Sequence, residues 1–167
     1  AVAGAKRCSS AYAVLSDGTV KAWGSNGGGK LGDGTTSDRQ TPVSVSISGR
    51  SISTIAVSDS HVLALASDGS VWGWGSNYQS QLALDPSSIQ YSSTPRRITV
   101  TGAAGSVVSI AATGSTPSSF VVMSSGEVWE WGNWSPTQYA PRQRPLPSAE
   151  LGATKLVSVS VNYSNML

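Results

Sequence analysis

The single histidine and the single cysteine of this 167-residue chain are the side chains best suited to proton transfer or nucleophilic attack. His61 could act as a general base. Cys8 lies beside Lys6 and Arg7, and neighbouring cations lower the pKa of a thiol. Neither residue has a catalytic partner at motif spacing, so we predict a structural role for His61, an ordinary loop or strand position for Cys8, and no catalytic residues. One cysteine also excludes an internal disulfide and a multi-cysteine zinc site.

Two glycine-containing loops invite a ligand interpretation. The segment 33–38 holds two carboxylates, as a calcium loop would, but it lacks a third acidic ligand and the closing glutamate. The segment 27–30, Gly-Gly-Gly-Lys, resembles a phosphate cradle, but no helix follows it whose N-terminus could bind the anion. We therefore interpret 33–38 as a solvated turn and predict no metal and no cofactor.

Four of the seven arginines form two pairs, each of which comes directly after a proline. Arg96 follows Pro95 directly, and Arg142 follows Pro141. Arginine is well suited to planar contacts with carboxylates and phosphates. Beside the second pair lies a Pro-rich segment whose aromatic residues we expect to be exposed. Aromatic residues and arginine dominate binding hot spots. The predicted partner-binding residues are Arg96, Arg97, Arg142, Arg144, Trp134 and Tyr139. The alternative is an ordinary solvated strand edge, on which charge discourages edge pairing.

The elements that would position these residues repeat along the chain. The segment 16–26 recurs closely at 67–77 and more loosely at 124–133, so that Trp-Gly pairs begin at Trp23, Trp74 and Trp131. Internal repeats with a period of 20–50 residues are typical of propellers and related arrays. We place the repeats at approximately 1–50, 51–105 and 106–155, with the start of a fourth at 156–167.

Each repeat favours β-structure. Short segments rich in Val, Ile, Thr and Trp alternate with turn residues, and Asp-Gly at 17–18 and 68–69 predicts a two-residue type I′ hairpin. A period near fifty with about four strands is typical of a propeller blade. We predict an all-β fold of three antiparallel blades plus the start of a fourth, an incomplete ring. The expected structural anchors are Trp23, Trp74, Trp131, Gly18, Gly69 and Gly126.

These motifs resemble the regulator of chromosome condensation repeat, whose members usually form seven-bladed β-propellers. In the second copy the pattern positions are held by His61, Ala64, Leu65, Asp68, Gly69, Val71, Trp74, Gly75, Asn77, Gln81 and Leu82. In the first copy they are held by Asp17, Gly18, Val20, Trp23, Gly24, Asn26, Gly29, Leu31 and Gly32. The sequence of these repeats resembles bacterial-type or extracellular-type copies. Ser10 and Ser118 stand at the histidine position, and the third copy replaces Gly-Gln-Leu-Gly with a segment that begins at Trp134.

Composition and resemblance together favour a non-enzymatic protein-interaction scaffold. We expect a fragment of a longer chain or part of a larger assembly, with further blades or a second chain completing the ring. The resemblance implies guanine-nucleotide exchange on a small GTPase as one alternative. Exposed aromatics imply another, an extracellular carbohydrate- or enzyme-inhibitor-binding module.

Charge and composition bound the partners and the compartment. A net charge of +2 gives no reason to expect nucleic acid, and no segment is apolar enough to span a membrane. The charged fraction of 12% favours an extracellular or cell-surface setting over a cytoplasmic or nuclear one. Asn133 and Asn162 begin Asn-x-Ser glycosylation motifs, which matter only on a secretory route.

Overall fold

The structure is a computed structural model that describes residues 2–4, 10–47, 49–114, 116–132, 139–145 and 158. Twelve strands account for almost all of its regular secondary structure, with one 3-10 turn at Gly27–Gly29. Among the described residues, no helix is long and apolar enough to cross a membrane. The strands are β1 (Val2–Gly4), β2 (Ser10–Val14), β3 (Val20–Gly24), β4 (Arg39–Val45), β5 (Ile52–Val57), β6 (His61–Ala66), β7 (Val71–Ser76), β8 (Tyr91–Ile98), β9 (Val107–Ala112), β10 (Ser119–Met123), β11 (Val128–Trp131) and β12 (Arg142–Arg144).

The strands form three four-stranded antiparallel sheets in which each strand lies beside its neighbour in sequence. We call the sheets β1–β4, β5–β8 and β9–β12 blades one, two and three. Neighbouring blades pack through their first two strands, with β5 against β1 and β2, and β9 against β5 and β6. The fourth strand of each blade is therefore its outer strand. The predicted all-β fold of propeller blades with four strands each is confirmed.

Two hydrophobic cores fill the interfaces between blades. All six residues of β6 are buried, and successive side chains point to opposite faces of a strand. Val62, Ala64 and Ala66 therefore enter the core shared with blade one. Leu63 and Leu65 enter the core shared with blade three. Blade two is buried on both faces, which explains why its sequence lacks the strict alternation of a half-exposed sheet.

The hairpin turns differ from the predicted type I′ geometry. Gly18 has a φ of 80°, but Asp17 does not have a positive φ, as a type I′ turn would require. The N–H of Gly18 donates to the Leu15 carbonyl at 3.0 Å, and the N–H of Leu15 donates to the Thr19 carbonyl at 2.9 Å. This is a type I turn followed by a left-handed glycine, the arrangement of a three-residue hairpin loop. Asp17 accepts the Thr19 N–H instead.

The same pattern recurs at Gly69 and Gly126, so all three predicted glycines occupy the left-handed position.

The Trp-Gly strands differ in burial. Trp74 is 0% exposed and donates from Nε1 to the carbonyl oxygen of Lys30 in blade one, at 2.6 Å. Trp131 is 1% exposed and donates to the carbonyl oxygen of Gln81 in blade two, at 2.7 Å. Trp23 is only half-buried. It lies on the face of blade one that is turned away from blade two, and no described sheet packs against that face.

Candidate functional site

The outer strands of blades two and three carry arginines at equivalent places. Arg96 on β8 lies opposite Gly73 on β7. Arg142 on β12 lies opposite Glu130 on β11. Gly73 and Glu130 each precede the buried Trp of their blade, so the register agrees with the equivalence that the two prolines indicated. All four arginines of the predicted cluster are exposed on outer strands.

Glu130 forms ion pairs with both arginines of blade three. One of its carboxylate oxygens accepts from Nη2 of Arg142 at 3.0 Å, and the other accepts from Nη1 of Arg144 at 2.7 Å. The Glu130 side chain is only 4% exposed, whereas those of Arg142 and Arg144 are 44% and 51% exposed. A nearly buried carboxylate requires such partners because an unpaired buried charge is strongly destabilising. These two arginines therefore have a structural function that the sequence analysis did not assign to them.

The arginine pair of blade two has no such carboxylate in the part of the chain that the structure describes. Arg96 donates from Nε to the hydroxyl of Ser92 at 3.1 Å. Arg97 lies opposite Trp72 and makes no side-chain hydrogen bond or ion pair with any residue that the structure describes. The position that Glu130 holds in blade three is held here by Gly73. The predicted four-arginine surface thus divides into a pair that shares one carboxylate and a pair that meets no carboxylate among the described residues.

Sequence reasoning missed Glu130, although the repeat itself contained the signal. The third copy reads Trp129-Glu130-Trp131 where the second reads Trp72-Gly73-Trp74. A carboxylate at a position that Ala22 and Gly73 hold in the other copies, on the strand next to the arginines, predicts an ion pair across the two strands.

Several other predictions fall on residues that the structure leaves undescribed. Trp134 and the sequon Asn133 belong to the segment 133–138, and Cys8, Asn162 and most of the fourth repeat are likewise outside the described residues. Tyr139 is described and is 40% exposed. The carbohydrate- or inhibitor-binding alternative depends on Trp134 and Tyr139, and it stays a prediction.

His61 is fully buried at the interface between blades two and three. Its Nδ1 lies 2.7 Å from the hydroxyl of Ser58, and its Nε2 lies 2.9 Å from the hydroxyl of Ser119. The hydroxyl of Ser119 donates its proton to the carbonyl of Gln81 at 2.8 Å. Nε2 of His61 is therefore the donor to Ser119. Burial lowers the pKa of His61 to about 3. The imidazole is therefore neutral near pH 7 and closed to substrate.

The acidic loop 33–38 is a hydrogen-bonded turn. The carboxylate at its centre, Asp33, is nearly buried and not solvated. Asp33 accepts from Nε of Arg39 at 2.6 Å and from the N–H of Thr35 at 3.0 Å. Burial raises the pKa of the Asp33 carboxyl, but hydrogen bonds from Thr35, Arg39 and Asn26 outweigh it and hold the pKa below its ordinary value. The guanidinium of Arg39 thus pairs with the carboxylate that a calcium ion would need. Among the described residues, no group of three or more His, Cys, Asp or Glu could hold a metal ion.

The glycine-rich loop 27–30 packs against blade two. Lys30 is buried, and its Nζ lies 3.3 Å from the carbonyl of Asp59. The Lys30 carbonyl accepts from the hydroxyl of Tyr12 at 2.7 Å and also receives the Trp74 indole. The lysine that a phosphate cradle would use is therefore committed to the interface between blades.

Comparisons with known proteins agree with this architecture. The family model described as regulator of chromosome condensation (RCC1) repeat matches residues 17–65 and 68–116, and a second model of the same repeat matches 52–81. The chain is 35% identical over 168 residues to the mitochondrial RCC1 domain-containing protein RUG3 of Arabidopsis thaliana, covering 93% of this chain and 37% of that protein. It is 42% identical over 66 residues to the ultraviolet-B receptor UVR8 of the same plant, covering 39% of this chain and 15% of the receptor.

Solved structures show the same fold. Human WBSCR16 superposes with a TM-score of 0.77 at 24% identity, covering 92% of this chain and 39% of that one. Prp20p of Saccharomyces cerevisiae, studied for its binding to Gsp1p and histones, superposes with a TM-score of 0.73 at 16% identity, covering 90% and 39%. At these identities the likeness concerns the fold alone. The chain spans less than two fifths of the length of each of these relatives.

Proposed function

Since the chain belongs to the regulator of chromosome condensation (RCC1) repeat family, we propose that it is a non-enzymatic protein-interaction module. Its outer strand β8 would be the contact surface, with Arg96 and Arg97 as the contact residues. The partner would be a protein that presents carboxylates. We further propose that other blades or a second chain complete the ring. Trp23 occupies the strand position at which Trp74 and Trp131 pack against a neighbouring blade, so its face of blade one corresponds to an interface.

The arginine pair of blade two carries this proposal. Arg96 and Arg97 are exposed, and among the described residues they lack a carboxylate such as the one that Arg142 and Arg144 share. Guanidinium groups bind carboxylates through two parallel hydrogen bonds, which gives orientation as well as attraction.

The scaffold beneath the pair is well packed. Blade two meets a hydrophobic core on each face, so the arginines project from a blade that packing already holds in place. A preorganised surface loses less conformational entropy when it binds.

Partner capture by cross-linking tests this proposal on the full chain. We expect the double variant Arg96→Ser and Arg97→Ser to lose the captured protein, and the wild-type interaction to weaken as salt is raised. The double variant Arg96→Lys and Arg97→Lys should retain part of it, because charge remains while the planar fork is lost. Lys21→Ser removes a cation from another blade and should leave capture unchanged. Equal capture by the wild-type chain and the double serine variant would contradict the proposal.

Guanine-nucleotide exchange remains an alternative. The protein named in the yeast comparison binds Gsp1p, but this chain spans 39% of it.

A further inference from the structure

The side chain of Asn26 organises the long loop that joins β3 to β4 in blade one. Asn26 is 0% exposed. Its Oδ1 accepts the N–H of Leu31 at 2.8 Å, and its Nδ2 donates to the carbonyls of Thr35 and Ser37 at 3.1 and 3.0 Å. Nδ2 also lies 3.2 Å from Oδ1 of Asp33. One amide side chain therefore holds several separate parts of this loop together.

The loop that Asn26 organises is also the part of blade one that locks into blade two. Lys30, within the loop, supplies the carbonyl that accepts the indole N–H of Trp74 at 2.6 Å. Further along the loop, the N–H of Gly34 donates to the carbonyl of Ser93 on β8 at 2.9 Å. A chemical change at Asn26 would therefore reach the interface between the first two blades.

Blade two contains the same arrangement around Asn77. This residue is also 0% exposed, and its Oδ1 accepts the N–H of Leu82 at 2.9 Å. Its Nδ2 donates to two loop carbonyls, that of Leu84 at 3.0 Å and that of Ile89 at 2.7 Å. The two asparagines thus have the same role in consecutive repeats.

The residue that follows the asparagine differs between the two blades. Gly27 follows Asn26, whereas Tyr78 follows Asn77 and is 62% exposed. The backbone does not require glycine at 27, because Gly27 does not have a positive φ and a Cβ atom on it would meet nothing within 4 Å. The one Asn-Gly pair of the sequence therefore stands where a larger residue would fit.

Asn-Gly is the pair at which asparagine loses ammonia most readily, because glycine has no Cβ to hinder attack by its own nitrogen. The Gly27 nitrogen gives up its proton to solvent and attacks Cγ of Asn26, which closes a succinimide ring. The bond from Cγ to Nδ2 breaks, and the departing amide takes up a proton and leaves as ammonia. Water then opens the ring. Attack at Cγ leaves aspartate, and attack at the main-chain carbonyl carbon leaves isoaspartate.

The folded loop prevents this ring closure. A five-membered ring requires Cβ of Asn26 and the nitrogen of Gly27 on the same side of the Cα–C bond, but the ψ of 22° at Asn26 turns that nitrogen away. Rotation of the backbone is opposed by the N–H of Gly29, which donates to the Asn26 carbonyl at 2.9 Å. The loop must therefore open locally before the reaction can start.

An aspartate at position 26 could not re-form the loop. A carboxylate has no N–H to donate, so the carbonyls of Thr35 and Ser37 would each lose a donor. The new charge would also lie beside the carboxylate of Asp33, whose side chain is only 5% exposed. Isoaspartate would in addition lengthen the main chain by a methylene group.

We propose that Asn26-Gly27 is a site of spontaneous deamidation that the folded loop keeps closed. Each local opening of the loop exposes the pair to reaction, and the product prevents the loop from locking into blade two again. The reaction needs neither a partner nor the arginines of β8, so it is independent of the proposed function.

Mass spectrometry of the full chain measures the reaction. The chain is incubated at mildly alkaline pH, folded and in urea, and the peptides that contain Asn26 and Asn77 are followed for the mass increase of deamidation. In urea, Asn26 should react about tenfold or more faster than Asn77. In the folded chain, Asn26 should react about tenfold or more slowly than in urea. Equal rates in either comparison would overturn the proposal.

Gly27→Ala is the matched variant, because the added methyl group meets no neighbour. It should fold with the wild-type urea midpoint and deamidate about tenfold more slowly in urea. Gly27→Tyr, which copies the second repeat, should behave in the same way. Deamidation of Gly27→Ala at the wild-type rate would be evidence against the assigned site.

Hydrogen exchange of the indole N–H groups tests the effect on the interface. Wild-type and Gly27→Ala chains are aged in urea, refolded and compared by NMR. In the aged wild-type chain, the indole of Trp74 should exchange about tenfold or more faster than before ageing, while that of Trp131 at the second interface should be unchanged. The aged Gly27→Ala chain should retain protection at both, and Asn26→Asp should reproduce the loss at Trp74. Full protection of Trp74 in the deamidated chain would show that the product still locks, and the proposal would fail.

Discussion

Nε2 of His61 lies 2.9 Å from the hydroxyl oxygen of Ser119, although 58 residues separate them in the chain. The contact links the second strand of blade two to the second strand of blade three. It continues from Ser119 to the Gln81 carbonyl, which also accepts the indole N–H of Trp131. A buried chain of hydrogen bonds with every donor used in this way fixes how two blades meet, because any displacement leaves a polar group unpaired.

The neutral state of His61 makes stability depend on pH. The unfolded chain protonates His61 near its ordinary pKa of 6.5, whereas the folded chain does so only near 3. Stability is therefore complete above about pH 6.5 and falls as the pH is lowered from there towards 3, by about 1.4 kcal/mol per pH unit once the unfolded histidine is charged. Urea unfolding at intervals from pH 7.5 to 5 measures this slope.

His61→Gln should remove the slope. The carboxyls with lowered pKa values, such as Asp68 and Asp85, lose their contribution only at lower pH, so they do not interfere in that range. A wild-type slope equal to that of the variant would contradict the assigned state of His61.

Trp74 should be a principal stabilising residue. Trp74→Ala removes a fully buried ring and its hydrogen bond to Lys30, and we expect a loss of about 3–5 kcal/mol in the free energy of unfolding. Trp23→Ala is the matched control, because Trp23 occupies the same place in blade one but is half-buried, and its replacement should cost clearly less. Urea midpoints that shift equally and slightly for both would argue against interlocking blades.

Gly32 is required both by its backbone and by its neighbours. It has a φ of 69°, and a Cβ atom on it would lie 2.9 Å from both Nε1 of Trp74 and Cγ1 of Val45. Gly32→Ala should therefore cost about 2–4 kcal/mol, the sum of left-handed strain and overpacking. Gly27→Ala should change stability by less than about 0.5 kcal/mol, since a Cβ atom there meets nothing within 4 Å. Thermal unfolding of both variants is the measurement, and similar midpoints would be the contrary result.

Removal of the two arginine pairs should reduce stability by different amounts. Replacing both Arg142 and Arg144 with Ser leaves the nearly buried carboxylate of Glu130 unpaired, and we expect a loss of about 3–5 kcal/mol. Replacing Arg96 and Arg97 with Ser should cost less than about 1 kcal/mol, because no ion pair is broken. Glu130→Gly introduced with the double change restores the arrangement of blade two and should recover stability. Equal losses for the two pairs would contradict the division of the cluster.

The fold follows from the repeat pattern in the sequence. Three copies of a strand–turn–strand pattern with a Trp-Gly pair can only bury their apolar faces against one another, so stacked β-sheets follow from the repeat. Local chemistry also settled which residues occupy the left-handed turn positions, since glycine is needed at Gly18, Gly69 and Gly126 whatever the turn type.

The turn geometry and the contacts of the charged residues depend on how the strands pair in the folded chain. Asp-Gly suits more than one hairpin, and the turn type goes with the register of the two strands that the turn joins. Sequence spacing brought Arg96 and Arg142 to equivalent positions but could not show which pair meets a carboxylate. Ion pairing depends on which side chains share a face across two strands. That property arises only when the register is fixed, and it separates the arginines that hold Glu130 from the two that meet no carboxylate among the described residues.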